Sequence, residues 1–190
     1  VIQGTDTIEE TAFVLDCVVK SGRPVVVTGA MRGPEAPGAD GPANVLAATI
    51  VAASAEAAGM GTLVVLNDEI HAARHVQKSH TGLPSAFASP LAGAVGLLSE
   101  GRAHFHWRLP KRLPPLAAIA GVDAAVALVP MSLGDDGRLL REVHRLGYRG
   151  VVVEGLGAGH VPAPVAPIIS ELVDVIPVVL ATRVRTGPVF

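Results

Sequence analysis

Short β-branched runs separated by stretches of helical periodicity constrain this chain more than any other feature. Pro24-Val25-Val26-Val27-Thr28 shows no polar alternation, which is how a strand covered on both faces reads, and Leu63 to Leu66 read as a further buried strand. Val1 and Ile2 read as the tail of a strand, after which Thr7-Ile8-Glu9-Glu10 has the spacing of a capping box. Ile8, Ala12, Leu15, Val18 and Val19 then recur at helical spacing, and Ser21-Gly22 reads as the stop. Asp40-Gly41-Pro42 starts a second helix. The order strand, helix, strand, helix, strand predicts an α/β fold with a parallel sheet flanked by helices.

The middle of the chain breaks that rhythm. Ala94 to Leu98, a turn at Ser99-Glu100-Gly101, and the alternating Arg102 to Leu109 predict a β-hairpin. Pro110, Pro114 and Pro115 follow and suit a linker, because proline cannot donate to a sheet. After them, strands near 124–129, 151–153 and 178–180 alternate with helices around Leu139, Leu140, Val143 and Leu146 and around Ile168, Ile169 and Leu172. Two Rossmann-like lobes are expected, residues 1–109 and 121–190, joined by a linker over 110–120. The chain opens at Val1, inside a strand, and closes at Phe190 just past another; further sequence is expected on both sides of it.

Composition narrows the partners. Fifteen basic against 17 acidic residues leave a net charge of -2, which gives no general attraction for nucleic acid or an acidic membrane surface. No apolar run reaches the ~18 residues of a membrane span. A single cysteine, Cys17, excludes an internal disulfide framework and reads as a core residue. A small-molecule ligand and a cytoplasmic location are expected.

Ligands of α/β folds bind beyond the C-terminal ends of the strands. There the sequence offers Thr5 and Asp6, then Gly29-Ala30-Met31-Arg32, then Asn67-Asp68-Glu69 and a loop over 68–90 that contains Lys78 and has no evident periodicity. A threonine hydroxyl needs a neighbouring base to act as a nucleophile, and a lysine can be that base; Asp6 could hold a substrate ammonium. From spacing alone, a plain helix cap beside a solvated loop lysine is the simpler account. His71 and His75 could share a helix face as metal ligands, but Ala72 stands where the zinc-protease pattern needs glutamate. Gly155-Leu156-Gly157-Ala158-Gly159-His160 fails the dinucleotide fingerprint at His160. Arg102, Phe105, Trp107 and Arg108 interleave charge with aromatics, and alternation sends the aromatics inward. No metal or organic cofactor is expected.

Gly4-Thr5-Asp6-Thr7-Ile8-Glu9-Glu10-Thr11-Ala12 is similar to a signature of bacterial-type L-asparaginases. Gly29-Ala30-Met31-Arg32 with Ala39-Asp40-Gly41-Pro42 and Asn44 resembles that family's next block, and Asn67-Asp68 with Arg74, Val76 and Lys78 resembles the loop bearing its catalytic lysine. Similarity continues in order through Gly150 to Gly159 and Arg183-Val184 to Thr186-Gly187. The resemblance implies hydrolysis of L-asparagine to L-aspartate and ammonia by a threonine-dependent route without a cofactor. It makes Thr5 the threonine of a Thr-Lys-Asp set, Lys78 the group that tunes or deprotonates it, and Asp6 the α-ammonium ligand, with the Ala30 carbonyl near the side-chain amide. It also implies a homotetramer, a dimer of dimers.

The resemblance places a second catalytic threonine and a binding serine upstream of Val1, so residues 1–190 alone are expected to turn over little. Three positions depart from the pattern: Gln3 stands where many relatives have histidine, Ala158 replaces an asparagine directed at a neighbouring subunit, and Arg185 replaces a proline. A glutaminase-asparaginase, or a silent amino-acid-binding relative, remains the alternative.

Overall fold

The structure, a computed structural model, describes residues 1–109, 114–117 and 123–190. The chain divides into two compact units, Val1–Ala118 and Ile119–Phe190. Most of the expected linker, 110–120, lies outside the described residues.

The first unit holds β1 (Val25–Val27), β2 (Thr62–Leu66), β3 (Glu69–Ala72), β4 (Gln77–Lys78), β5 (Phe87–Ala88), β6 (Gly96–Ser99) and β7 (Arg102–Phe105), with helices α1 (Ile8–Val18) and α2 (Gly41–Ala53). Its main sheet has the order β1-β2-β3-β6-β7. Outside β1, Val1 to Gln3 run alongside it: the Thr28 N–H donates to Val1 O at 2.9 Å and the Gln3 N–H to Thr28 O at 3.1 Å. The strands β1 and β2 are parallel, as the alternation predicts.

Beyond β2 the sheet turns antiparallel. Asn67 and Asp68 have φ of 51° and 60°, a left-handed pair that these two residue types tolerate and that suits a two-residue hairpin. The 68–90 segment, expected as an aperiodic loop, therefore contains β3, β4 and β5. Its periodicity is hidden because Ile70, His71 and Ala72 are all buried, the histidine among them, and because β4 and β5 are two residues each.

Every residue of β2 is buried. Leu63 and Val65 face Val26, Ile70 and the α2 residues Ala47, Ala48 and Val51; Val64 and Leu66 face Val27, Ile8 and Ala12 of α1, and Phe87. Each such side chain contributes roughly 1.5 to 3 kcal/mol by leaving water, so the sheet is clamped between two apolar layers. The hairpin of β6 and β7 pairs Ser99 with Arg102, and Ala103, Phe105 and Trp107 pack against the α2 side of the core while Arg102 and Arg108 stay exposed.

Two helix expectations need correction. Thr7 sits at the N-cap of α1 but makes no capping hydrogen bond, because Thr5–Thr7 already form a 3-10 turn that runs into the helix; the Thr7 hydroxyl accepts from Gln3 Nε2 instead. The helix also stops at Val18 rather than Ser21-Gly22, since Val19 turns extended. Cys17 is half-buried rather than a core residue, and its carbonyl accepts the Leu116 N–H at 2.7 Å.

The second unit is a parallel sheet of order β10-β9-β8, from β8 (Val126–Pro130), β9 (Gly150–Gly155) and β10 (Val178–Thr182), with α3 (Arg138–Val143) and α4 (Val165–Leu172). Ala127, Val129, Val151 and Val153 pack on Leu140, Val143, Val165 and Ile168. Gly155 approaches Gly159 so closely that a Cβ on it would lie 2.6 Å from the Gly159 carbonyl carbon, and the Leu156–His160 bridge closes this turn on itself. Among the described residues no helix is long and apolar enough to cross a membrane.

Candidate active site

Three segments of the first unit, remote in sequence, deliver polar groups to one place. The 3-10 turn ahead of α1 presents Thr5 and Asp6. The ribbon of β4 and β5 presents Lys78, paired with Phe87 and followed by Ser79, whose N–H and Oγ both donate to Ala86 O. Lys78 Nζ donates to Thr5 Oγ1 at 2.9 Å and to Asp6 Oδ1 at 2.7 Å. At the other end of the same residue, the Lys78 backbone N–H donates to Glu9 Oε2 at 2.5 Å.

The electrostatics of this set are lopsided. The Lys78 side chain is 18% exposed and that of Asp6 is 95% exposed, so the carboxylate opens to solvent while the ammonium is sheltered. The hydrogen bond from Lys78, reinforced by its charge, holds the Asp6 carboxyl below its ordinary 3.8. A hydroxyl 2.9 Å from an amine nitrogen is within proton-transfer reach.

The third segment, Gly29 to Arg32, is fixed by a polar cluster. Asp40 takes the Met31 N–H at Oδ2 (2.9 Å) and the Arg32 N–H at Oδ1 (2.8 Å). Asn44, 3% exposed, donates from Nδ2 to Gly29 O at 3.0 Å and to Asp40 Oδ2 at 3.1 Å, while its Oδ1 accepts the Asn67 N–H at 3.0 Å. Burial raises the Asp40 pKa, but the N–H groups of Met31 and Arg32 outweigh it and the net shift is downward. Gly29 is required by proximity: a Cβ there would lie 2.5 Å from Gln3 O and 3.3 Å from Thr5 Cγ2. Ala30 follows it, exposed at the rim.

The structure thus brings Thr5, Asp6 and Lys78 into direct contact and runs the Ala30 loop past Thr5. The sequence marks Asp40 as a helix start and part of the family-like block, but not as the residue that fixes the Met31 and Arg32 amides, and it gives Glu9 no site role. The Glu9 bond leaves no local signal, since it joins segments far apart in the chain.

The signals set aside have ordinary settings. His71 lies on β3 rather than a helix; its Nδ1 is 3.0 Å from Ser89 Oγ and its Nε2 3.2 Å from Glu69 Oε2. Burial lowers the His71 pKa against the opposing pull of Glu69. His75 leans on Trp107 at a ring-centroid distance of 6.3 Å. Among the described residues no group of three or more His, Cys, Asp or Glu side chains is placed to hold a metal ion.

Comparison with known proteins places this geometry in context. Residues 1–111 match the family model described as "Asparaginase, N-terminal" and residues 125–190 that described as "Glutaminase/Asparaginase C-terminal domain". An L-asparaginase of Bacillus licheniformis is 36% identical over 191 residues, taking in 100% of this chain and 59% of that protein. A glutaminase-asparaginase of Pseudomonas fluorescens biotype A is 33% identical over 177 residues, 90% of this chain and 48% of that protein. The solved "Probable Cytoplasmic L-asparaginase from Campylobacter jejuni" superposes with a TM-score of 0.92 at 34% identity, covering 98% of this chain and 61% of that one. The chain therefore spans about half to three fifths of the length of these relatives. With both domain models matched in order and the fold shared with a solved relative, the chain belongs to the bacterial-type asparaginase family.

Proposed function

We propose that this protein hydrolyses the side-chain amide of L-asparagine to L-aspartate and ammonia, with Thr5, Lys78 and Asp6 at the reacting end. The observation that carries the reading is the single ammonium of Lys78 joining the Thr5 hydroxyl to the Asp6 carboxylate. In its neutral form the Lys78 amine takes the Thr5 hydroxyl proton, leaving an oxygen able to add to, or to activate water toward, the amide carbon. Collapse of the tetrahedral adduct breaks the C–N bond and expels ammonia, which carries the proton away; where Thr5 has added, water then cleaves the Thr5 ester, restoring the hydroxyl and supplying the oxygen of the new carboxylate. The Asp6 carboxylate keeps an open face toward solvent and receives the substrate α-ammonium there. The Ala30 carbonyl accepts from the side-chain amide.

Two coarser features belong to the same proposal. The assembly is a homotetramer, a dimer of dimers, which sedimentation would test, and the location is cytoplasmic. The Campylobacter jejuni relative is described as cytoplasmic, whereas one from Haemophilus influenzae is named periplasmic; fractionation of cells decides between them.

A broader glutaminase activity is the second reading, favoured by the name of the Pseudomonas fluorescens relative. One methylene is worth only about 1 to 3 kcal/mol of discrimination in a pocket, so the two amides must be compared directly. The test is ammonia release from each by the full product of the gene. Release from asparagine that falls by orders of magnitude in Thr5→Val and Lys78→Met supports the reading. Binding of asparagine without release would leave an amino-acid-binding relative, consistent with Ala158.

A further inference from the structure

Among the described residues the strand β4 pairs with β5 alone, in a two-stranded ribbon separate from the five-stranded sheet, and such a ribbon is marginally stable by itself. Burial of Val76, Ala86 and Phe87 beside Ile8 holds it against the α1 side of the core, but apolar contact is non-directional, so the placing of Lys78 against Thr5 falls to directional bonds. Glu9, in the first turn of α1, accepts the Lys78 N–H at 2.5 Å, and its neighbour Ile8 is fully buried and anchors that turn. The 3-10 turn that runs into this helix carries Thr5 and Asp6. Lys78 is therefore tied at both ends to one continuous segment: its amide to Glu9 of α1, its ammonium to Thr5 and Asp6 of the turn before it.

A second tie lies further along α1 on the same face, two turns on. Asp16 Oδ2 accepts from Arg74 Nε and Asp16 Oδ1 from the Thr62 N–H, each at 3.0 Å. This bond holds the segment that leads into β4, but it acts four residues before Lys78 and touches no reacting group.

We infer that Glu9 is a positioning residue for amide hydrolysis, its carboxylate holding the Lys78 backbone so that the amine meets Thr5. The inference rests on the activity proposed above. A hydrogen bond to a carboxylate is about twice as strong as a neutral one, and a misplacement of about 1 Å can cost ~10²-fold in rate. What matters is reach: glutamine at position 9 still presents an acceptor oxygen at the same distance, whereas aspartate keeps the charge but falls a methylene short.

The test uses Glu9→Ala, Glu9→Asp, Glu9→Gln and Asp16→Asn in the full gene product, with asparagine as substrate. Glu9→Ala and Glu9→Asp should lower kcat roughly 10- to 100-fold with KM within about twofold, and Glu9→Gln should stay within about fivefold of the parent. Asp16→Asn should lower the denaturation midpoint and leave kcat within about twofold. If Glu9→Ala fails to fold, the Asp and Gln pair carries the same contrast. Hydrogen exchange of the Lys78 amide reads the contact without any turnover: slow in the parent and Glu9→Gln, fast in Glu9→Asp. Should the parent release no ammonia, the activity reading fails while this exchange pattern still decides the Glu9 contact. Parent-like kcat in Glu9→Asp, or equal loss in Glu9→Asp and Glu9→Gln, overturns the inference.

Discussion

The two units use the same α/β grammar and put it to different ends. At the strand ends of the first, polar side chains join segments far apart in the chain: Asn44 links Gly29 to Asn67, Glu9 holds Lys78, and Asp16 holds Arg74. In the second, Arg183 reaches Met131 O, but the side-chain ion pairs around α3 are exposed: Asp136 with Arg138 and Glu142 with Arg145 are local, and Arg141 meets Glu171 of α4 at 3.8 Å, on open surface. Arg138 even draws the Asp136 carboxyl down to about 2, so a perturbed carboxylate is not in itself a site. A fold supplies positions at its rim; bonds between remote segments turn some of those positions into chemistry.

The largest effect that could break this contrast is on turnover. Thr5→Val and Lys78→Met should each lower ammonia release on the order of 10³-fold or more, whereas Asp136→Asn and Arg138→Met, which remove an exposed pair, should stay within about twofold. Comparable losses in both units would erase the distinction.

Packing gives the next contrast. Leu63 on β2 is fully buried while Leu128 on β8 is 62% exposed. Leu63→Ala should cost about 2 to 5 kcal/mol in denaturant unfolding, and Leu128→Ala about 0.5 kcal/mol or less.

Smaller again is the polar cluster. Asn44→Ala strands the buried Gly29 carbonyl, at about 1 to 3 kcal/mol, and removes the acceptor of the Asn67 N–H, which belongs to an exposed residue. Arg145→Ala should change stability by less than about 1 kcal/mol, being half of a surface pair.

The smallest effect is a titration. Because Lys78 lowers the Asp6 pKa from 3.8, the pair's contribution to stability is present above 3.8 and is lost as pH falls through the lowered folded value. Carboxyl NMR should show the Asp6 midpoint below 3.8 in the parent and moved up toward it in Lys78→Met. An unmoved midpoint would mean that Asp6 and Lys78 do not pair in solution.

What could be read from sequence follows the range of the interactions involved. The strand β2 was visible because an unbroken apolar run admits few other readings, and the β6–β7 hairpin because its alternation survives half-exposure. The ribbon carrying Lys78 was invisible: two-residue strands have no period, and His71 puts a polar letter in a buried slot of β3. The capping box at Thr7 misled because the preceding 3-10 turn fills the cap. Thr5, Asp6 and Lys78 could be named through a resemblance spread along the chain, while Glu9 could be recognised only once α1 and β4 were placed side by side.

The central claim is that Thr5 and Lys78 act as one unit, and a double-mutant cycle tests it most directly. Ammonia release from asparagine is measured for the parent, Thr5→Val, Lys78→Met and the double variant of the full gene product. Interlocked groups predict a double variant no worse than the poorer single one, within about threefold. Losses that multiply, or a Lys78→Met protein that works as fast as the parent, would contradict the account.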